Sequence, residues 1–171
     1  MNRTYTITEV NQLSESEFID LLGGLYEHSR WVAEQVVSSR PFADRDELEA
    51  AMKDCVVGSS KEAQLGILKA HPEFAGVANT ELTESSTAEQ SSLSLNSLPP
   101  EQHAKMQVYN KKFMQQYGYP GIVAVRLQTS VDGIFAEFDR RLNNTAEQEQ
   151  TDALEQVYSI VHFRLHDLIS G

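Results

Sequence analysis

Apolar residues recur at intervals of three and four through almost all of this chain of 171 residues, and residues that start or stop helices bracket each run. Phe18, Leu21, Leu22, Leu25, Val32 and Val36 follow Ser14 and Glu17, which have the spacing of a capping box. Gly23-Gly24 and the stretch from His28 to Arg30 predict a break of this run into a helix pair. Asp44 and Glu47 start the next helix, with Leu48, Ala51, Met52 and Cys55 on one face and Gly58 at its end. Ser59 or Ser60 caps a third, whose Ala63, Leu65, Leu68 and Ala70 lead to His71. Glu89 opens a helix continued by Leu93, Leu95 and Leu98, and Pro99-Pro100 separates it from Glu101 to Tyr117. There Met106, Tyr109, Phe113 and Tyr117 form a core stripe before Gly118 stops the helix. Ser130 caps a helix with Ile134, Phe135, Phe138 and Leu142, and Thr145 starts a last one with Leu154, Val157, Val161, Leu165 and Leu168. Tyr119 to Arg126 is the one strand-like run; with nothing of its kind to pair with, it is expected to be a buried extended segment or a short helix. Residues 1 to 13 read as a polar N-terminal arm with weak alternation in Thr4-Tyr5-Thr6-Ile7. The expected fold is all-α: a single compact bundle of seven or eight helices, with residues 1–171 as one domain.

Charge narrows the partners. A net charge of −11 makes nucleic-acid backbones and anionic membranes poor partners, because both reward clustered Lys and Arg. An anionic small-molecule substrate would need a local positive charge, and Arg126 and Arg164 are the candidates for gripping one. Arg126 follows four apolar residues and must reach water, an acid or a bound anion, whereas Arg164 lies on the flank of the last helix's buried stripe. The single cysteine, Cys55, excludes an internal disulfide and reads as a small core residue without a base beside it. No apolar run approaches the length of a membrane span, MNRTYTITEV lacks the hydrophobic segment of a signal peptide, and Leu168-Ile169-Ser170-Gly171 is not an SKL-type peroxisomal address. A cytoplasmic location is expected.

The stretch from His71 to Gln90, HPEFAGVANTELTESSTAEQ, gathers the ingredients of a site between two helices. Pro72 disfavours helical geometry at His71 and so leaves an imidazole at a helix end. Ser86 as N-cap and Glu89 at the third helical position have capping-box spacing, so Glu89 has a structural reading beside a functional one. The loop from Glu73 to Ser85 is longer than most helix connections, and such loops tend to be functional or mobile. His28, beside a helix break, reads as a surface or capping residue. His162 and His166 are four apart and could ligate a metal from one face, but no nearby carboxylate or cysteine motif completes a site, so none is expected. No glycine-rich phosphate loop or other cofactor motif is visible, and no cofactor is expected.

His71-Pro72-Glu73-Phe74-Ala75-Gly76 followed by Ser86-Thr87-Ala88-Glu89-Gln90 resembles the HP(D/E)xAG and STxEQ signatures of the 2-oxo-4-hydroxy-4-carboxy-5-ureidoimidazoline (OHCU) decarboxylase family, which completes the path from urate to S-allantoin. Tyr117 to Arg126 resembles the family's FGFPF...VR segment, Arg140 to Asn144 its RLxN stretch, and Ala153 to Leu168 its ALxEI...RLxDL helix. The resemblance implies an all-helical fold, cofactor-free decarboxylation, and a homodimer. It implies His71 and Glu89 as the acid-base pair, with Pro72, Ser86, Gln90, Arg126 and Arg164 at the substrate. Glu73 and Phe74 stand where Asp and Leu are common, and Val77 where a Lys is frequent, which removes a cation near the loop. The competing expectation is a noncatalytic acidic helical domain that binds a basic partner, its HP and STAEQ elements serving only as a helix stop and start.

Overall fold

The computed structural model describes residues 3–75 and 84–171, with the side chains of residues 84–86 and 96 outside the description. Helices dominate it. Nine α-helices occur among the described residues: α1 (Ile7–Gln12), α2 (Glu15–Leu22), α3 (Trp31–Val36), α4 (Arg45–Val57), α5 (Lys61–Ala70), α6 (Glu84–Ser92), α7 (Pro100–Tyr117), α8 (Val131–Arg141) and α9 (Ala146–Leu168). None is long and apolar enough to cross a membrane. By packing, the chain divides into two compact units, one made of Met1–Ile67 with Val161–Gly171 and the other of Leu68–Ile160.

Local chemistry sets the boundaries in the first unit. Ser14 accepts from the Glu17 backbone while the Glu17 carboxylate accepts from the Ser14 N–H at 2.8 Å, so the expected capping box starts α2. The Ser14 hydroxyl, donating to that carboxylate at 2.6 Å, and then the Ser14 N–H hold the Glu17 carboxyl below its usual pKa. Asp44 likewise accepts from Glu47 N at 2.8 Å and starts α4. The break expected near His28 lies between α2 and α3, where His28 takes a left-handed φ of 51°. Phe18, Leu22, Val32, Leu48 and Met52 form the buried centre, and Cys55 sits half-buried with its thiol 3.2 Å from Gln35 Oε1. The stretch expected as an arm is more ordered than that. Tyr5–Thr6 (β1) pairs in parallel with Ile169–Ser170 (β2), and Thr6 then caps α1 through a capping box with Glu9.

Aromatic packing builds the second unit. Tyr109 and Phe113 of α7 meet Phe135 and Phe138 of α8, with ring centroids 5.4 Å apart for Tyr109–Phe135 and 4.9 Å for Phe113–Phe138. The stripe on α7 is therefore core. Gly118, at φ 81°, ends α7 in the left-handed region that glycine enters without strain. Residues 119–124 then run extended and buried, as expected, before a 3-10 turn at Val125–Leu127. Close approach makes Gly121 specific here: an added Cβ would stand 2.7 Å from the Phe138 ring. Arg141, wholly buried, donates to both carboxylate oxygens of buried Glu149, at 2.5 and 3.1 Å, and to the Ile122 carbonyl. Gln156 Oε1 accepts from Ala124 N at 3.0 Å, so two side chains fix the extended segment along its length.

One helix differs from expectation at both ends. Helix α6 starts at Glu84, two residues before Ser86, so Ser86 lies inside the helix rather than at its start. It also stops at Ser92, and the Leu93–Leu98 stretch is a turn followed by a 3-10 helix at Leu95–Ser97. Hydroxyls explain the stop, since Ser91 donates to the Thr87 carbonyl and Ser92 to the Glu89 carbonyl, competing for the helix's own acceptors.

Two stability predictions follow from this packing. Arg141→Met leaves the Glu149 carboxylate buried without its cation, and the urea midpoint should fall by the equivalent of about 3–5 kcal/mol. Tyr109 donates its hydroxyl to Asp139 at 2.6 Å; burial first, and that contact second, push its pKa up to about 12. A phenol that keeps its proton in the native state while the unfolded chain loses its own from pH 10 upward makes stability fall between pH 10 and about 12. Urea titrations below and above pH 10 should show that fall, and Tyr109→Phe should reduce it.

Candidate active site

His71 stands one residue beyond α5, its N–H bonded to the Leu68 carbonyl at 3.3 Å, and buried Pro72 prevents the helix from continuing. The chain then turns through residues 73–75 rather than running free. Three side-chain amides hold that turn. Gln90 Oε1 accepts from Ala75 N and Gln90 Nε2 donates to the Glu73 carbonyl, both at 3.3 Å. Asn110 Nδ2 donates to the Phe74 carbonyl at 2.8 Å, and Gln107 Nε2 to the Ala75 carbonyl at 2.6 Å. Ala75 is held at φ 48°, a left-handed conformation that costs a non-glycine residue energy and persists only where its surroundings enforce it. Phe74 is buried against Phe138, which ties the turn to the aromatic core.

His71, Pro72, Phe74, Glu89, Gln90, Val123, Val125 and Ile160 together line one narrow recess. An imidazole from the end of α5 and a half-buried carboxylate from α6 thus share a recess whose remaining wall is mostly apolar. Glu89 is the sixth residue of α6, beyond the helix's first turn. Val123 reaches the recess from the extended segment that Arg141 and Gln156 fix, and Val125 from the turn that follows it. A histidine and a glutamate of this kind can accept, hold and return a proton, and apolar walls strengthen any charge interaction within.

The other residues singled out by sequence fare differently. Gln90 is buried, and its amide is engaged with the backbone of residues 73 and 75. Arg126 is exposed on the Val125–Leu127 turn, and that turn packs against α6. Arg164 is buried within the first unit, where Nη1 donates to Glu27 Oε2 at 2.8 Å and to the Leu25 carbonyl at 3.2 Å. The Ser86 side chain and Gly76 to Thr83, which include Val77 and most of the long loop, lie outside the described residues. Sequence reasoning passed over Asn110 and Gln107. Asn110 carried a signal, since it falls between Met106 and Phe113 at core spacing and a polar residue there requires a buried partner.

Residues 11–166 match the family model described as OHCU decarboxylase. This chain belongs to the OHCU decarboxylase family. It is 40% identical over 166 residues to the 2-oxo-4-hydroxy-4-carboxy-5-ureidoimidazoline decarboxylase of Haloferax volcanii, covering 97% of each chain. To the decarboxylase of the same name from Halalkalicoccus jeotgali it is 36% identical, covering 95% of this chain and 91% of that one. Among solved structures it resembles an (S)-allantoin synthase with a TM-score of 0.79 and 32% identity, over 97% of this chain and 54% of that one. The chain therefore spans about half the length of that structure. In this OHCU decarboxylase family member the motif residues His71, Pro72, Glu89 and Gln90 fall in one recess.

The amide clamp can be tested by itself. Gln90→Ala should cost about 1–3 kcal/mol, the penalty for leaving buried backbone groups unsatisfied. Hydrogen exchange should accelerate at the Ala75 amide, while α7 and α8 keep their protection.

Proposed function

We infer that this protein decarboxylates OHCU to S-allantoin in urate breakdown, with His71 and Glu89 as its acid-base pair. The observation that carries the reading is the convergence of those two side chains, from α5 and α6, on one recess. Membership of the family and the decarboxylase names of its relatives support the substrate.

The substrate's own chemistry sets a modest task. Breaking the bond to the departing carboxylate leaves an electron pair beside a conjugated imine, which receives it. The neighbouring hydroxyl then loses its proton as a carbonyl forms, and the ureido-bearing carbon takes up a proton on one face. His71 suits the transfer, because an imidazole can both accept and donate near neutral pH. Glu89 hydrogen-bonds the substrate hydroxyl or orients the imidazole, and the apolar wall from Val123 and Val125 favours loss of the charged carboxylate. Arg126, on the turn packed against α6, grips the substrate carboxylate or ureido oxygens. Pro72 shapes the recess edge and Gln90 places the 73–75 turn; Ser86 is assigned to substrate on the family motif. Arg164 is assigned chiefly to its pair with Glu27, because that carboxylate and the Leu25 carbonyl already engage its Nη1. The proposal includes a homodimer, on the family resemblance, and a cytoplasmic location, on the sequence expectation.

The test is the circular dichroism of allantoin formed from freshly generated OHCU. Wild type should accelerate the step and give one enantiomer. His71→Ala and Glu89→Gln should lose about 10²–10⁴-fold in rate and return the product toward the racemate, with far-UV spectra unchanged. A wild-type protein that alters neither rate nor chirality would overturn the reading in favour of a noncatalytic domain.

A further inference from the structure

His162 and His166 lie one turn apart on α9, and Glu49 reaches both from α4, with all three in the unit of Met1–Ile67 and Val161–Gly171. His162 Nδ1 stands 3.0 and 3.1 Å from the two Glu49 oxygens, and His166 Nε2 stands 3.4 Å from Oε2. The two imidazole centroids are 3.9 Å apart, and one donor atom from each of the three residues lies within 4.8 Å of the others. By sequence the histidine pair lacked a third donor. The fold supplies it from a position 113 residues away.

We propose that Glu49, His162 and His166 form a binding site for one divalent transition-metal ion of the zinc class, with water in a fourth position. Donors around a tetrahedral ion with bonds of about 2.0–2.2 Å stand roughly 3.3–3.6 Å apart, close to the 3.0–3.4 Å between Glu49 and the two imidazoles. A proton shared between His162 and Glu49 accounts for one contact only. It leaves His166 Nε2 shielded from solvent and without a hydrogen bond to any described residue, whereas a metal ion engages all three donors. Two imidazoles with one carboxylate select zinc, cobalt, nickel or copper over magnesium and calcium, which prefer oxygen donors. The side chains remain partly exposed, at 43% for His162, 30% for His166 and 27% for Glu49, which leaves an entry path and room for the water. A bound ion would join α4 to α9 and stabilise the native state, since an ion that binds only the folded chain adds its binding free energy to folding. It has no part in the chemistry assigned to His71, so this site stands or falls independently of that assignment.

Chelator-stripped full-length protein, titrated with Zn²⁺ by calorimetry and followed by thermal unfolding, tests the site. Wild type should bind one equivalent and gain roughly 5–10 °C in Tm at a hundredfold excess over Kd. His162→Ala and Glu49→Gln should each weaken binding at least tenfold, and His166→Gln serves if either fails to fold. His103→Gln, on exposed α7 surface, should bind as wild type does. Co²⁺ should give visible d–d bands of low-coordinate metal in wild type, removed by the same substitutions. No one-equivalent binding by wild type, or undiminished binding by the Glu49 and His162 variants, would overturn the proposal.

Discussion

The second unit is organised around a charge that water cannot reach. Arg141 and Glu149 are both fully buried, and taking such a pair out of water costs several kcal/mol per ion before any attraction is counted. That cost is offset only where nearly every donor finds an acceptor. Here Arg141 spans Glu149 and the Ile122 carbonyl, and Asn144 adds a further hydrogen bond to the carboxylate. The pair joins the end of α8, the start of α9 and the extended segment at one point. Such a junction contributes more to placement than to net stability. Because Val123 follows directly after the clamped carbonyl, the apolar wall of the recess inherits its position from an ion pair made by neither His71 nor Glu89.

A second device acts on the turn after Pro72. Gln90, Gln107 and Asn110 bind consecutive backbone groups of the turn after Pro72, and together they enforce the left-handed conformation at Ala75. Amides suit this work, because each offers a donor and an acceptor and carries no charge to desolvate. His71 is thereby followed by a turn that side chains hydrogen-bond at residues 73, 74 and 75. An acid-base group needs such support, since small displacements of a reacting group cost large factors in rate.

Much of the helical frame was legible because it depends on neighbours in sequence. Ser14 with Glu17, Asp44 with Glu47 and Gly118 after Tyr117 are local decisions, and each stands where spacing placed it. The start of α6 was not legible for a physical reason: Thr83, Ser85 and Ser86 are all competent caps, so spacing to Glu89 could not choose among them. Its end was missed because serine hydroxyls compete for helix carbonyls, an effect that apolar periodicity does not register. The motif residues His71 and Glu89 were found through resemblance, and the recess they share depends on contacts between distant residues. The Arg141–Glu149 pair was not singled out from sequence, since nothing local distinguishes a buried arginine from an exposed one. Likewise the third donor beside His162 and His166 comes from another helix, beyond the reach of any spacing rule.

The parallel pairing of Tyr5–Thr6 with Ile169–Ser170 has a consequence for the order in which contacts form. The unit from Leu68 to Ile160 is contiguous, so its contacts close within one stretch of chain. The other unit joins segments on both sides of that stretch, and its formation must close the long loop between them. The loop-closure cost therefore falls on the unit that holds Tyr5–Thr6 and Ile169–Ser170, and contacts of such long sequence separation are the slow ones to form.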